Sequence, residues 1–282
     1  MANTKLSLYQ YGSGQSLPVF MDNDHIRFSI FLSFAALFAW YIRKQHKYIT
    51  LLLFFLITSI LFLSVRTGWA SLLLMSFALF LHYLLTQAKQ KIRALILYSI
   101  ATILILITAW FIFPSIQQKI AYSFYDWGQI SSHTFNANLS DATRYSLNKT
   151  GWNLIQTGNT NIGWSDIAPS MQKRFKVLYP GYATSFGWPF NQWLYWWIGS
   201  GSFGMLLFTL WLFFPVLIGF QQKNIGLIIG AVAVAISCLV EVNLAYQYGV
   251  WLHVWGIGLL WLYNFTKPDI DDKLIRKNAL FE

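Results

Sequence analysis

Charge is what this sequence lacks most. Asp, Glu, Lys and Arg make up 11% of its 282 residues, against about 25% in a soluble globular protein. With 56% hydrophobic residues and a mean hydropathy of +0.47, too little polar surface remains to cover a water-soluble globule. That excludes a conventional soluble enzyme and makes lipid the solvent for much of the surface. Cysteine is nearly absent. Cys238 stands alone inside an apolar run, which excludes an intrachain disulfide and any cysteine-based metal spacing. There is no glycine-rich phosphate loop, no His-Glu-x-x-His helix and no Cys-x-x-Cys pair. The histidines His25, His46, His82, His133 and His253 are scattered, so neither a metal nor a cofactor is expected. The polar stretch from Met1 to Arg27 contains Asp22 and Asp24 and lacks the apolar core of a signal peptide. The formal net charge of +10 does not indicate nucleic acid. The basic residues are dispersed through short loops between apolar runs, where they set topology and meet lipid headgroups.

Apolar runs are what the sequence has in abundance. They cover Phe28–Ile42, Tyr48–Val65, Trp69–Thr86, Ala94–Phe113, Trp193–Phe220, Ile225–Val240 and Val250–Phe265. The length and spacing predict an all-α polytopic integral membrane protein with about seven transmembrane helices of roughly 20 residues. Gly199, Gly201 and Pro215 predict a kink in the fifth. Orientation follows from the short loops. Arg43, Lys44, Lys47, Lys89, Lys91, Arg93, Lys223, Lys267, Lys273, Arg276 and Lys277 fall on one side, against Lys5, Arg27 and Arg66 in the short segments opposite. The basic side is the cytoplasmic one. The expected segments are an outer N-terminus (1–27), a four-helix block (28–113), a large outer loop (114–191), a three-helix block (192–265) and a cytoplasmic tail (266–282). An outer N-terminus without a signal leads to the expectation that further spans precede Met1 in a longer protein; an ordinary N-out protein is the alternative.

The polar residues with chemical potential gather on the outer side. Arg66 lies in the tight turn Ser64-Val65-Arg66-Thr67-Gly68. It admits two readings, a guanidinium snorkelling to the headgroups and a bidentate clamp for a phosphate. In the outer loop a helix is expected over Ala142–Gln156, with Asp141 as its N-cap, and Arg144 and Asn148 share a face of it. Lys173, Arg174 and Lys176 add positive charge to the same loop, as a solvated face or as contacts to a polyanionic partner. The run from Gly187 to Trp197 is rich in aromatics. An interfacial belt accounts for most of it, and a sugar-stacking platform with Asn191, Gln192 and Trp193 is the functional alternative. Glu241, just beyond the sixth run, is a candidate partner for Arg66 or Arg144, or a plain interfacial acid.

In this order, these features resemble the C-terminal portion of the O-antigen ligase and O-antigen polymerase family of bacterial inner-membrane proteins. Asp24-His25-Ile26-Arg27-Phe28-Ser29 leads into a span, and Ser64-Val65-Arg66-Thr67-Gly68 is similar to the family's Ser-x-Arg turn. A long periplasmic loop carries Arg144, then Gly163-Trp164-Ser165-Asp166 and Tyr179-Pro180. Pro189-Phe190-Asn191-Gln192-Trp193-Leu194 resembles the family's Pro-His-Asn-Gln-x-Leu entry into a span, and Glu241 to Gly249 resembles a late acidic segment. The resemblance implies an inverting, metal-independent transfer of a glycan from undecaprenyl diphosphate to an acceptor hydroxyl, on lipid A-core or another glycan. It implies that Arg66 and Arg144 bind the diphosphate. Asn191 and Glu241 join them as expected catalytic residues, and Lys173, Arg174, Gln192 and Trp193 as expected substrate contacts. Phe190 stands where the family has histidine, so another group, such as His133, His25 or Glu241, has to handle the proton. A polymerase, a non-catalytic fragment and a transporter of the same lipid-linked glycan are the alternatives. The near absence of charge within the apolar runs weighs against ion-coupled transport.

Overall fold

The computed structural model describes residues 25–43, 46–86, 89–131, 140–182 and 187–262. Among them there are helices and no strand. The helices are α1 (His25–Ile42), α2 (Lys47–Leu63), α3 (Arg66–Thr86), α4 (Lys91–Ile112), α5 (Pro114–Ser131), α6 (Ser140–Gln156), α7 (Trp164–Leu178), α8 (Gln192–Gln222) and α9 (Ile225–Val240). A 3₁₀ turn (Asn243–Ala245), α10 (Gln247–Trp251), a π-helical turn (Leu252–Gly256) and α11 (Ile257–Leu262) complete the described chain.

Every apolar run of the sequence falls on helix over its described residues, apart from the turn residues at the run ends; the last three residues of Val250–Phe265 lie outside them. Three helices, α3, α4 and α8, are long and apolar enough to cross a membrane, while α1, α2 and α9 are apolar but shorter. The seventh run is not one smooth helix, since the π-helical turn interrupts it. The kink expected in α8 sits at Gly201, whose φ of 71° lies in the left-handed region that glycine tolerates.

The main core joins α1, α3, α8, α9 and α11 through residues such as Ile30, Phe34, Met75, Phe208, Leu227 and Leu260. Small residues let these helices approach closely, as is common where lipid surrounds a bundle. A Cβ on Gly68 would come within 2.6 Å of the Ser29 side chain, and Ser33 donates to the Gly68 carbonyl at 3.2 Å. Asn224 caps α9 by accepting from the Leu227 amide at 3.1 Å, and its amide group donates to the Leu260 carbonyl at 2.7 Å. That one side chain ties α9 to α11.

A second core supports the segment between α4 and α8. Leu147 and Leu154 of α6, Ile167, Met171 and Phe175 of α7, Phe190 just before α8 and Ile198 within it pack together. The i, i+4, i+8 spacing of Ile167, Met171 and Phe175 places them on one face of α7. Among its described residues this segment holds three helices, α5, α6 and α7, of which the sequence had indicated only α6. Gly158, Gly163 and Gly181 have φ values of 80°, 87° and 89°.

Candidate functional site

The site is built where α5 and α6 cross the turn between α2 and α3. Ser64 ends α2 in the left-handed conformation and Arg66 opens α3, so this turn projects the Arg66 side chain outward from the bundle. Ser64 Oγ lies 2.7 Å from Ser115 Oγ, which fixes the start of α5 at the same level.

Arg66 meets Asp141 in a two-pronged pair. Nη1 donates to Oδ2 at 2.5 Å and Nη2 to Oδ1 at 2.6 Å. Arg66 also donates to Ser123 Oγ at 3.2 Å and to Ser140 Oγ at 3.5 Å. One turn along α6, Arg144 donates to the same Ser140 hydroxyl at 3.4 Å and lies 3.6 Å from Asp141. Two guanidinium groups far apart in sequence thus converge on one carboxylate.

Arg144 continues the chain of charges inward. Its Nη2 lies 3.5 Å from Glu241 Oε2, and Arg27 reaches the other Glu241 oxygen at 3.9 Å. Arg27 is stacked on Tyr246, 3.7 Å from the ring centroid. Glu241 is buried, and that burial raises its carboxyl pKa above the ordinary value against the pull of Arg144 and Arg27. Charges alternate along Arg27, Glu241, Arg144, Asp141 and Arg66.

The third side of the site comes from α5. Lys119, Tyr122, Ser123 and Asp126 follow the i, i+3, i+4, i+7 spacing of one helical face. The Tyr122 hydroxyl accepts the Ser140 amide at 2.9 Å. Asp126 is fully buried and accepts the amides of Asp141 at 2.6 Å and Ala142 at 3.0 Å. Asp126, from another helix, therefore caps α6; the expectation that Asp141 would do so is corrected. With its amide already satisfied by Asp126, Asp141 is free to turn its carboxylate to Arg66. Burial raises the Asp126 carboxyl pKa, opposed by those two amide donors. Lys119 is pushed down to about 8, by burial first and then by the charges of Arg66 and Arg144.

No protein-family model, curated protein or solved structure matches this chain. The chemistry of the site has to be read from its own side chains.

The expected site residues divide into two groups. Arg66, Arg144 and Glu241 are brought together. Phe190 joins them from the second core, with its ring centroid 5.3 Å from the Arg144 guanidinium. The other five are engaged elsewhere. Asn191 caps α8, accepting from the amides of Trp193 at 3.0 Å and Leu194 at 3.1 Å, and donates to the Leu239 carbonyl at 3.1 Å. Gln192 is buried and accepts the Leu244 amide at 3.0 Å. The Trp193 indole donates to Thr209 at 3.0 Å and packs on Phe208. Arg174 donates to Asn153, and Lys173 is exposed on α7. His133 and the side chain of His25 lie outside the described residues.

Sequence reasoning did not single out Lys119, Tyr122, Ser123, Asp126 or the role of Asp141. A signal was present. Pro114 stands at the first position of a helix, and the polar stripe from Lys119 to Asp126 has helical spacing.

The cluster holds four basic groups (Arg27, Arg66, Lys119, Arg144) against three acidic ones (Asp126, Asp141, Glu241). It is a near-balanced set in which Asp141 occupies the place of an anion. Arg66 is about half exposed, with 48% of its side-chain surface accessible, so its pair with Asp141 is worth about 1 kcal/mol or less. Among the described residues no group of three or more His, Cys, Asp or Glu side chains is disposed to hold a metal ion.

Proposed function

We propose that this protein is a membrane glycan transferase of the O-antigen ligase type. It moves a glycan from undecaprenyl diphosphate to an acceptor hydroxyl, on lipid A-core or a similar glycan, at the periplasmic face of the bacterial inner membrane. One observation carries the reading: Arg66 and Arg144 converge on the single carboxylate of Asp141. The apolar helices, read as about seven spans, support the membrane setting. The basic loops support an outer position for α5, α6 and α7.

The diphosphate takes the place of Asp141 between the two guanidinium groups. The acceptor oxygen attacks the anomeric carbon from the face opposite the diphosphate. The bond from that carbon to the phosphate oxygen breaks, and its electron pair leaves with the diphosphate. Arg66 and Arg144 stabilise that growing negative charge. The hydroxyl proton has to go to a base. Phe190 offers none, and Glu241 is engaged by Arg144 and Arg27. Lys119 is the proton acceptor in this reading, because burial first, and then the charges of Arg66 and Arg144, favour its neutral form.

A non-catalytic holder of the lipid diphosphate is the second reading, favoured by Phe190 at the position where the family carries histidine. An assay of purified protein in lipid nanodiscs separates the two. Polyprenyl-diphosphate glycan and acceptor are supplied, and both binding and transfer are measured. Arg66→Ala and Arg144→Ala are each expected to lower transfer by about 10²-fold with membrane insertion unchanged. Full transfer by both variants overturns the assignment. Donor binding without transfer, restored by Phe190→His, establishes the holder.

A further inference from the structure

The two faces of α5 differ completely. One face carries Lys119, Tyr122, Ser123 and Asp126 into the site. The opposite face, offset by about half a turn, carries Ala121, Phe124, Tyr125 and Gly128, with Trp127 beside them. Phe124, Tyr125 and Trp127 are 76%, 57% and 65% exposed. Three adjacent aromatic residues left uncovered on an otherwise polar helix require an occupant.

We infer that α5 is an in-plane anchor whose Phe124–Tyr125–Trp127 face seats in the boundary between lipid headgroups and acyl chains. The arginine cluster is thereby held at headgroup depth. The inference rests on the membrane setting of the proposed function and not on glycan transfer.

Position along the chain fixes the depth. Helix α4 is long and apolar enough to cross a membrane and is almost wholly uncovered by the rest of the protein. Its last turn, Trp110, Phe111 and Ile112, is exposed, and α5 begins at Pro114 after the single residue Phe113. One residue of chain spans about 3.8 Å, so α5 starts at the level where α4 leaves the membrane. Gln117 donates to the Trp110 carbonyl at 2.8 Å and keeps the two helices from separating. Ser115 and Ser123, about 12 Å apart along the helix, meet Ser64 and Arg66 of the same short turn. Helix α5 therefore lies across that turn.

Composition selects lipid as the occupant. The exposed arc carries no charged side chain, and it continues the apolar surface of α4. Tyr and Trp favour the bilayer interface, where the ring is buried and the polar tip stays hydrated. Amphipathic helices bind there through such a face.

The test uses the full chain in liposomes with Cys238→Ala as background. Phe124→Cys, Trp127→Cys and, on exposed α7, Lys173→Cys each receive an environment-sensitive fluorophore. Lipids bearing a nitroxide high on the acyl chain and aqueous iodide serve as quenchers. The 124 and 127 labels are expected to lose most of their emission to the lipid nitroxide and little to iodide, with the reverse at 173. Iodide quenching at 124 and 127 equal to that at 173 overturns the inference. Protection from both quenchers also overturns it, because it shows a protein partner or a second copy covering the face. Ala121→Cys, with a small exposed residue on the same arc, repeats the measurement should either aromatic position not tolerate replacement. Loss of transfer activity has no bearing on this readout.

Discussion

Asp126 accepts the backbone amide of Asp141 at 2.6 Å while Asp141 gives its own carboxylate to Arg66. Two acidic residues thus divide the work at one helix end. The fully buried one, Asp126, satisfies the amides that begin α6, and the partly buried one, Asp141, faces the two arginines.

Asp141→Asn is expected to tighten binding of a polyprenyl diphosphate. The competing pair with Arg66 is worth about 1 kcal/mol, which corresponds to about fivefold in affinity. Titration of nanodisc-embedded protein with the lipid, or with inorganic diphosphate, measures it. Weaker binding by this variant contradicts the view of Asp141 as a competitor.

Asp126→Ala removes the cap of α6 without touching either arginine. A lost helix cap costs about 0.5–2 kcal/mol, and buried amides left without a partner place this case at the upper end. Thermal unfolding in detergent is expected to begin at lower temperature, and proteolysis within the loop to quicken. An unchanged melting profile refutes the capping role.

Glu241→Ala leaves the buried Arg27 without its carboxylate partner and Arg144 with Asp141 alone. Removing one partner of a buried ion pair costs about 3–5 kcal/mol. The expected result is a large fall in stability, read by melting in detergent, with Glu241→Gln recovering part of it. Equal stability of the alanine variant and the wild type removes Glu241 from the charge chain.

Lys119 governs the expected pH dependence. Its pKa is lowered to about 8, so the neutral amine that accepts a proton forms as pH rises through that value. Transfer is expected to climb between about pH 7 and 9. The charges that act with burial to lower the Lys119 value are Arg66 of α3 and Arg144 of α6. Lys119→Arg keeps the charge but cannot give it up in this range, so it is expected to lose the rising limb as well as the rate. A rising limb that survives in Lys119→Arg excludes this residue as the proton acceptor.

Much of the helix content was legible because its cause is local. An apolar run of helical length is helical wherever it is placed, and glycines at turns declare themselves. Helix α6 was legible for the same reason, within two residues at its start. Helices α5 and α7 were not, because the polar face of α5 and the apolar face of α7 are explained only by what they pack against. At the site, Arg66, Arg144 and Glu241 stood out as rare charges beside apolar runs. Asn191, Gln192 and Trp193 stood out equally, and the structure gives them capping, bracing and packing contacts. A polar residue at a helix entry looks the same in sequence whether it meets a ligand or a backbone amide.

The sequence by itself determined the helical character of the described chain, the apolar stretches that can face lipid and the scarcity of charge outside a few loops. These depend on side-chain transfer energies and periodicity, which act residue by residue. Only the tertiary structure decided that Arg27, Arg66, Lys119 and Arg144 share one site with Asp126, Asp141 and Glu241. Coulomb interactions at this range depend on separations of a few ångströms, and those are fixed by helix crossings between segments far apart in the chain.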